Sequence, residues 1–168
     1  SNDIFFGKYD SNGDYVYAKS VGGASVETGY TITVDGSGNV YVSGFYSGTI
    51  DLDPGAGTSN FTSAGSNDVF FAKYDAAGGY VYGKSIGGTN VDRAYSHSTD
   101  NSGKIYLTGT FRNTVDFDPG AGTVNLTAGD PVANSYIAGY DDGGNYIFAG
   151  LQGGYANTSL AEESKSVA

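Results

Sequence analysis

Residues 1–10 read SNDIFFGKYD, and residues 66–75 read SNDVFFAKYD, so one ten-residue pattern returns 65 positions later. The likeness continues well beyond this stretch. Aligned without a gap, residues 1–62 and 66–127 are identical at 33 positions. A fixed period of this length is typical of repeat architectures, in which each repeat folds as one small unit and is stabilised by its neighbours. The repetition therefore decides the fold before any single motif is considered.

A third copy begins near Ala133 with ANSYIAGYDDGGNYIFAG and is one residue out of step with the first two. The chain thus holds about two and a half units, and we predict β repeats at 1–65 and 66–131 and a partial repeat at 132–168. Because the last three residues match the inside of a predicted strand, we interpret the chain as a piece of a longer polypeptide. The alternative is that several such chains complete one another's sheets.

Each repeat carries short β-branched and aromatic runs separated by Gly, Asn and Asp, which is the pattern of strands joined by tight turns. No window of ten or more residues has helical periodicity, and only 159–165 could form a helical turn. In the first repeat the runs are Ile4–Tyr9, Tyr15–Lys19, Tyr30–Val34, Val40–Phe45 and Ser59–Thr62.

Several of these runs, such as Ile4-Phe5-Phe6, are apolar on both faces of a strand. A sheet with two apolar faces must be covered on both sides. We therefore predict an all-β protein of tandem antiparallel four-stranded sheets, in which each repeat's sheet lies between those of its neighbours, as in propellers and β-solenoids.

Composition excludes several classes of function. The chain has no Cys, so it can form neither a disulfide framework nor a cysteine-based zinc site. Its formal net charge of −10 would repel phosphate backbones and anionic lipid, which argues against nucleic acid as a partner and against membrane association. No stretch approaches the roughly 20 apolar residues of a membrane span, so we expect no membrane insertion.

Four segments together resemble the bacterial β-propeller repeat family named for seven-bladed propellers. These segments are NDVFFAKYD, YVYGKSIGG, DGSGNVYVSG and TVDFDPGAGT, and the resemblance covers nearly the whole chain. The sequence departs from the family pattern at Tyr17 and Tyr82, where tryptophan is expected. It departs again at 96–99, where SHST replaces the TITV of the first repeat.

The resemblance implies a propeller-like blade and a place in large secreted or surface proteins that usually lack enzymatic activity. A closed propeller needs about four blades or more, so two and a half units cannot close a ring. We therefore expect blade-like sheets in an incomplete ring or an open stacked array.

A pair of aspartates recurs in a DxDPG motif, as Asp51 and Asp53 and again as Asp116 and Asp118. Residues i and i+2 of a strand share a face, so each pair brings two carboxylates together. Calcium accepts such oxygens, and these four residues are candidate calcium ligands and the only cofactor site that the sequence suggests. Aspartate before Pro-Gly is also a common turn starter, and the sequence favours the turn.

His97 is the sole histidine, and it replaces Ile32 of the first repeat. A catalytic histidine needs a nucleophile and an orienting acid, and no nucleophile motif accompanies it. We therefore predict no catalytic residue and no enzyme, and interpret His97 as structural or channel-lining. A glycoside hydrolase fragment using two carboxylates is the lesser alternative. Some close acidic pair is almost inevitable in so acidic a chain, so the number of acidic residues gives it little support.

Three sequons, at Asn60, Asn125 and Asn157, are candidate glycosylation sites, which would fit an exposed surface. The function that we predict is a non-enzymatic, extracellular or cell-surface scaffold that assembles with copies of itself or with the rest of a longer repeat chain. Its form would be a fibre or surface layer built by strand or sheet stacking. A carbohydrate-binding module that uses exposed tyrosines to bind glycans is the alternative.

Overall fold

The computed structural model describes residues 2–129 and 133–152, and these residues form strands and turns without a helix. Within this part of the chain, nothing is long and apolar enough to serve as a membrane-spanning helix. The predicted helical turn at 159–165 lies outside the described residues. The strands are β1 (Ile4–Tyr9), β2 (Tyr15–Gly23), β3 (Glu27–Val34), β4 (Val40–Tyr46), β5 (Thr49–Asp51), β6 (Asn60–Thr62), β7 (Asp68–Tyr74), β8 (Tyr80–Ile86), β9 (Arg93–Thr99), β10 (Ile105–Phe111), β11 (Thr114–Asp116), β12 (Asn125–Thr127), β13 (Asn134–Tyr140) and β14 (Tyr146–Gln152).

The strands build three four-stranded antiparallel sheets. Sheet one has the order β1-β2-β5-β6, sheet two β3-β4-β7-β8 and sheet three β9-β10-β13-β14, while β11 and β12 form a separate two-stranded ribbon. The predicted fold class, all-β with tandem antiparallel four-stranded sheets, is confirmed.

Sheets two and three are each shared between consecutive repeats, which differs from our expectation that one repeat makes one sheet, whereas sheet one lies within the first repeat. Strand β4 pairs with β7 of the next repeat from Val40↔Tyr74 to Tyr46↔Asp68, and β10 pairs with β13 in the same way. The first hairpin of the second and third repeats therefore completes the sheet that the preceding repeat began. Hairpins form locally, but the free edge of β4 is satisfied only by a strand from the following repeat.

The middle sheet is buried on both faces. Along β7, Phe70 packs into one core with residues of sheet one, and Phe71 packs into a second core with residues of sheet three. Every residue of β4 and β7 is buried, as the doubly apolar runs predicted. Stacking against two neighbours therefore supplies most of the apolar burial of this sheet.

Gly44 of β4 is explained by the close approach of the β3 backbone. The chain bulges between Gly29 and Thr31, and a Cβ added to Gly44 would collide with the carbonyl oxygen of Thr28. Gly109 stands in the same position against the carbonyl oxygen of Arg93. A bulge with this contact admits only glycine, so both repeats keep it.

Candidate functional sites at the turns and sheet junctions

The DxDPG motif forms a hydrogen-bonded turn after β5. The Oδ1 atom of Asp51 accepts hydrogen bonds from the backbone N–H groups of Asp53, at 3.0 Å, and Ser59, at 2.8 Å. Asp53 in turn accepts one from the N–H of Gly55 at 2.7 Å. Leu52, between the two aspartates, is fully buried, so it anchors the turn to the core while the carboxylates organise the loop.

The second copy repeats this geometry. Asp116 accepts from the N–H groups of Asp118 and Val124, and Asp118 accepts from Gly120. These bonds are what a turn-forming aspartate makes. Across residues 2–129 and 133–152, no three His, Cys, Asp or Glu side chains gather where they could hold a metal ion. Calcium at the four aspartates stays a prediction.

Two of the three sequons lie on the described surface. Asn60 begins β6 and Asn125 begins β12, and both side chains are exposed, as a modified asparagine must be. Asn157 lies outside the described residues.

His97 lies in the junction between sheets two and three. Its side chain is 2 % exposed, and both ring nitrogens meet hydroxyl groups of the preceding sheet. The Nδ1 atom lies 2.6 Å from the Oγ of Ser43, and Nε2 lies 2.8 Å from the Oγ1 of Thr33. A neutral imidazole has one donor and one acceptor, and the rotating hydroxyls can satisfy both. The ring thus joins two sheets that come from different repeats.

Burial lowers the pKa of His97 to about 4, so the ring is neutral near pH 7. A general base needs contact with substrate, but both His97 and Ser43 are buried inside the junction. The Ser–His pair is therefore a packing contact in this structure. Sequence reasoning did not find Ser43, because it is 54 residues away and on another strand.

A lysine of each complete repeat reaches the first turn of the next. Lys73 lies against the carboxylate of Asp142 and 5.3 Å from the ring centre of Tyr41, and its side chain is 7 % exposed. Lys8 makes the corresponding contact, donating to the carbonyl oxygen of Ala76 at 3.0 Å. The signal in the sequence is a lysine inside an otherwise apolar run, repeated 65 residues later.

Buried carboxylates mark the same junctions. Asp68 is 3 % exposed and accepts a hydrogen bond from the N–H of Ala64. Burial, helped by the nearby charge of Asp92, raises the pKa of Asp68 to about 6. Burial also raises the pKa of Asp92, which accepts from the N–H groups of Gly88 and Arg112. The third repeat has Asn134 in place of Asp68. These acids hold loops together at the cost of buried charge.

The exposed tyrosines of the described residues are Tyr9, Tyr15 and Tyr30, and all three lie in the first repeat. Tyr9 and Tyr15 are 64 % and 65 % exposed, and their rings lie 6.2 Å apart. The residues in place of Tyr9 in later repeats, Tyr74 and Tyr140, are fully buried. A sugar platform repeated once per unit is therefore not formed at this position, because the same tyrosine serves as core wherever a neighbouring sheet covers it.

No family model matches this chain. It is 26% identical over 110 residues, 57% of its length, to an uncharacterized WD repeat-containing protein of Acanthamoeba polyphaga mimivirus. It is 29% identical over 125 residues, 72% of its length, to the regulatory protein FlaEY of Caulobacter vibrioides. The chain spans 8% and 13% of these two relatives.

Similarity to a WD repeat-containing protein and the stacked four-stranded sheets together fit a propeller-type repeat. The arrangement is that of an interaction scaffold. Its polar groups tie sheets and turns to one another.

Proposed function

We propose that this chain is a non-enzymatic scaffold module, located outside the cell or on its surface, whose sheets join further sheets of the same kind in a larger array. The observation that carries the proposal is the sharing of sheets two and three between consecutive repeats. A fold built this way continues whenever another repeat supplies the next hairpin, so it can grow along one direction without new chemistry.

The polar residues that could have carried an activity support this proposal. His97 and Ser43 are buried between sheets, and the repeated aspartates hold turns through backbone N–H groups. Each of these groups has a structural partner within the fold. We propose a scaffold without a required cofactor, to which calcium could add at Asp51 and Asp53 and at Asp116 and Asp118.

The bacterial surface-protein resemblance, the acidic charge and the exposed sequons Asn60 and Asn125 support an extracellular location. Glycans attached there would point away from the stacked cores, so modification and assembly are compatible. The partners that we propose are repeats of the same type, in copies of this chain or in a longer polypeptide.

A series of chains with increasing numbers of repeats tests the proposal. Two, four and six repeats are joined in frame, and each protein is studied by thermal unfolding and negative-stain electron microscopy. The scaffold predicts a melting temperature that rises with repeat number and particles that lengthen as a fibre or curve as part of a ring. Separate globular particles, with the same melting temperature for every number of repeats, would contradict it.

A further inference from the structure

A groove of about 570 Å³ runs between the free edge of β1 and the outer face of β3. Large apolar side chains are exposed in its walls: Phe5 of β1 is 82 % exposed, and Ile32 and Tyr30 of β3 are 50 % and 48 % exposed. Polar residues, among them Asp3 and Glu27, line the rest of the groove. Large apolar side chains that are exposed side by side often mark an interaction surface.

The second repeat shows what fills the corresponding space. Between β7, the copy of β1, and β9, the copy of β3, lies strand β4. It pairs with β7 along its full length, and its Ser43 and Phe45 contact His97 and Arg93 of β9. With β4 paired to β7 and sheet one packed against it, Phe70, the copy of Phe5, is fully buried.

We propose that the groove between β1 and β3 is a docking site for a β-hairpin of the β3–β4 type, offered by a further repeat of the same kind. This inference rests on the proposed scaffold function and names the site and the partner through which it extends. A second copy of the described structure does not offer such a hairpin, because its β3–β4 and β9–β10 hairpins are already paired with β7 and β13.

The internal copies fix the register of the docked strand. Gly44 lies opposite Phe70, and Gly109 lies opposite Tyr136, so each β4-type strand places a glycine beside an aromatic residue of the next repeat. The docked strand therefore sets its glycine opposite Phe5, in an antiparallel ladder. A cross-strand aromatic side chain covers the space that the glycine leaves.

The groove also selects the chemistry of the incoming strand. In the second repeat the hydroxyl of Ser43 meets the imidazole of His97. In the groove that position is Ile32, which offers no hydrogen bond. An aliphatic residue at that position fits Ile32 better than serine, whose hydroxyl would be left unpaired, so the copied segments supplied in the tests carry Ser43→Val.

The test supplies the hairpin in its natural linkage. A copy of residues 25–65 is fused before Ser1 of the full chain, so that the copied strand reaches β1 through the same connecting length by which β4 reaches β7. The matched control carries the same residues in scrambled order. We expect amide hydrogen exchange in β1 to slow by about tenfold or more in the fusion and to be unchanged in the control. Amides of β7 serve as the internal reference.

A second arm uses the unfused chain and a synthetic peptide of residues 25–47. Saturable chemical-shift changes in β1 and β3 support the docking site, and Phe5→Ser should weaken them about tenfold or more. Equal exchange of β1 in fusion and control, without peptide binding up to about 1 mM, would overturn the inference. So would concentration-dependent protection of β1 in the unfused chain, since the occupant would then be a second copy.

The two proposals can fail separately. If longer repeat series form fibres or rings while β1 stays unprotected, the scaffold stands and this docking site is wrong. If the added hairpin protects β1 but repeat number leaves the melting temperature unchanged, the docking site stands and the scaffold proposal fails.

Discussion

The first and second repeats are nearly the same sequence in two different surroundings. Phe5 and Tyr9 of β1 are 82 % and 64 % exposed, whereas their copies in β7, Phe70 and Tyr74, are fully buried. The difference comes from the neighbours of each strand: β7 has β4 on its edge and sheet one packed against the side chains of Phe70 and Tyr74, and β1 has no such neighbours among the described residues. Burial here is a property of position in the array, and residue identity alone does not determine it.

The largest contrast should appear when the same aromatic residue is truncated in both repeats. Phe70→Ala removes a fully buried ring and should cost about 3–5 kcal/mol in the free energy of unfolding. Phe5→Ala should change it by less than about 0.5 kcal/mol. Chemical denaturation of the two variants measures the difference. Equal losses would show that β1 is as covered as β7 and would contradict the comparison.

Acid should weaken the second repeat through His97. Its folded pKa, about 4, lies below the ordinary value of 6.5, so the unfolded chain binds the proton more readily. The stability contribution of the neutral ring is complete above pH 6.5 and is lost as the pH falls toward 4, by roughly 3 kcal/mol. His97→Ile, which restores the residue of the first repeat, should remove this dependence. An unchanged slope in urea titrations between pH 6.5 and 4 would refute it.

The pH dependence of stability that arises from Asp68 should have the opposite sign to that from His97. Its folded pKa of about 6 lies above the ordinary 3.8, so the ionised carboxylate lowers stability at neutral pH, and this loss shrinks as the pH falls from 6 toward 3.8. Asp68→Asn, the residue found at Asn134, should raise the free energy of unfolding by about 1–3 kcal/mol at pH 7. At pH 4 it should bring little gain. A variant that is less stable at pH 7 would show that the charge is needed.

Removing the lysine contacts should lower stability by amounts that differ only modestly between the first and second repeats. Lys73→Ala loses a mostly buried ammonium that lies against Asp142 and near Tyr41, and should cost about 1 kcal/mol. Lys8→Ala loses only a hydrogen bond to a backbone carbonyl and should cost less, about 0.5 kcal/mol. Thermal unfolding of both variants gives the ranking, and the reverse order would contradict the stronger contact assigned to Lys73.

The smallest expected effect concerns the DxDPG turns. Because backbone N–H groups already bind Asp51 and Asp116, a chelator should leave the melting temperature unchanged. A fall on chelation that calcium reverses would instead assign the ion to these aspartates.

Local sequence signals predicted the strands well. The run Ile4–Tyr9 is a strand with those bounds, and Val40–Phe45 differs by one residue. The turn glycines and aspartates also behave as their residue types suggest, since Gly13 has a φ of 87° and Asp10 accepts from the N–H groups two and four residues later. Such features depend on interactions within a few residues.

The sequence did not reveal which strands of consecutive repeats belong to the same sheet. A repeat is compatible with pairing inside itself or with the next copy, because both arrangements place the same residue types opposite each other. The His97–Ser43 contact was hidden for the same reason, since it joins strands of different repeats. Long-range pairing of near-identical segments needs the structure.

The pairing of β4 is the most direct test of sheets shared between repeats. Val42 lies opposite Ala72 of the next repeat. Nuclear Overhauser contacts between the backbone protons of these two residues are the expected result. Contacts from Val42 to residues 4–9 of its own repeat would place each sheet within one repeat and contradict the account.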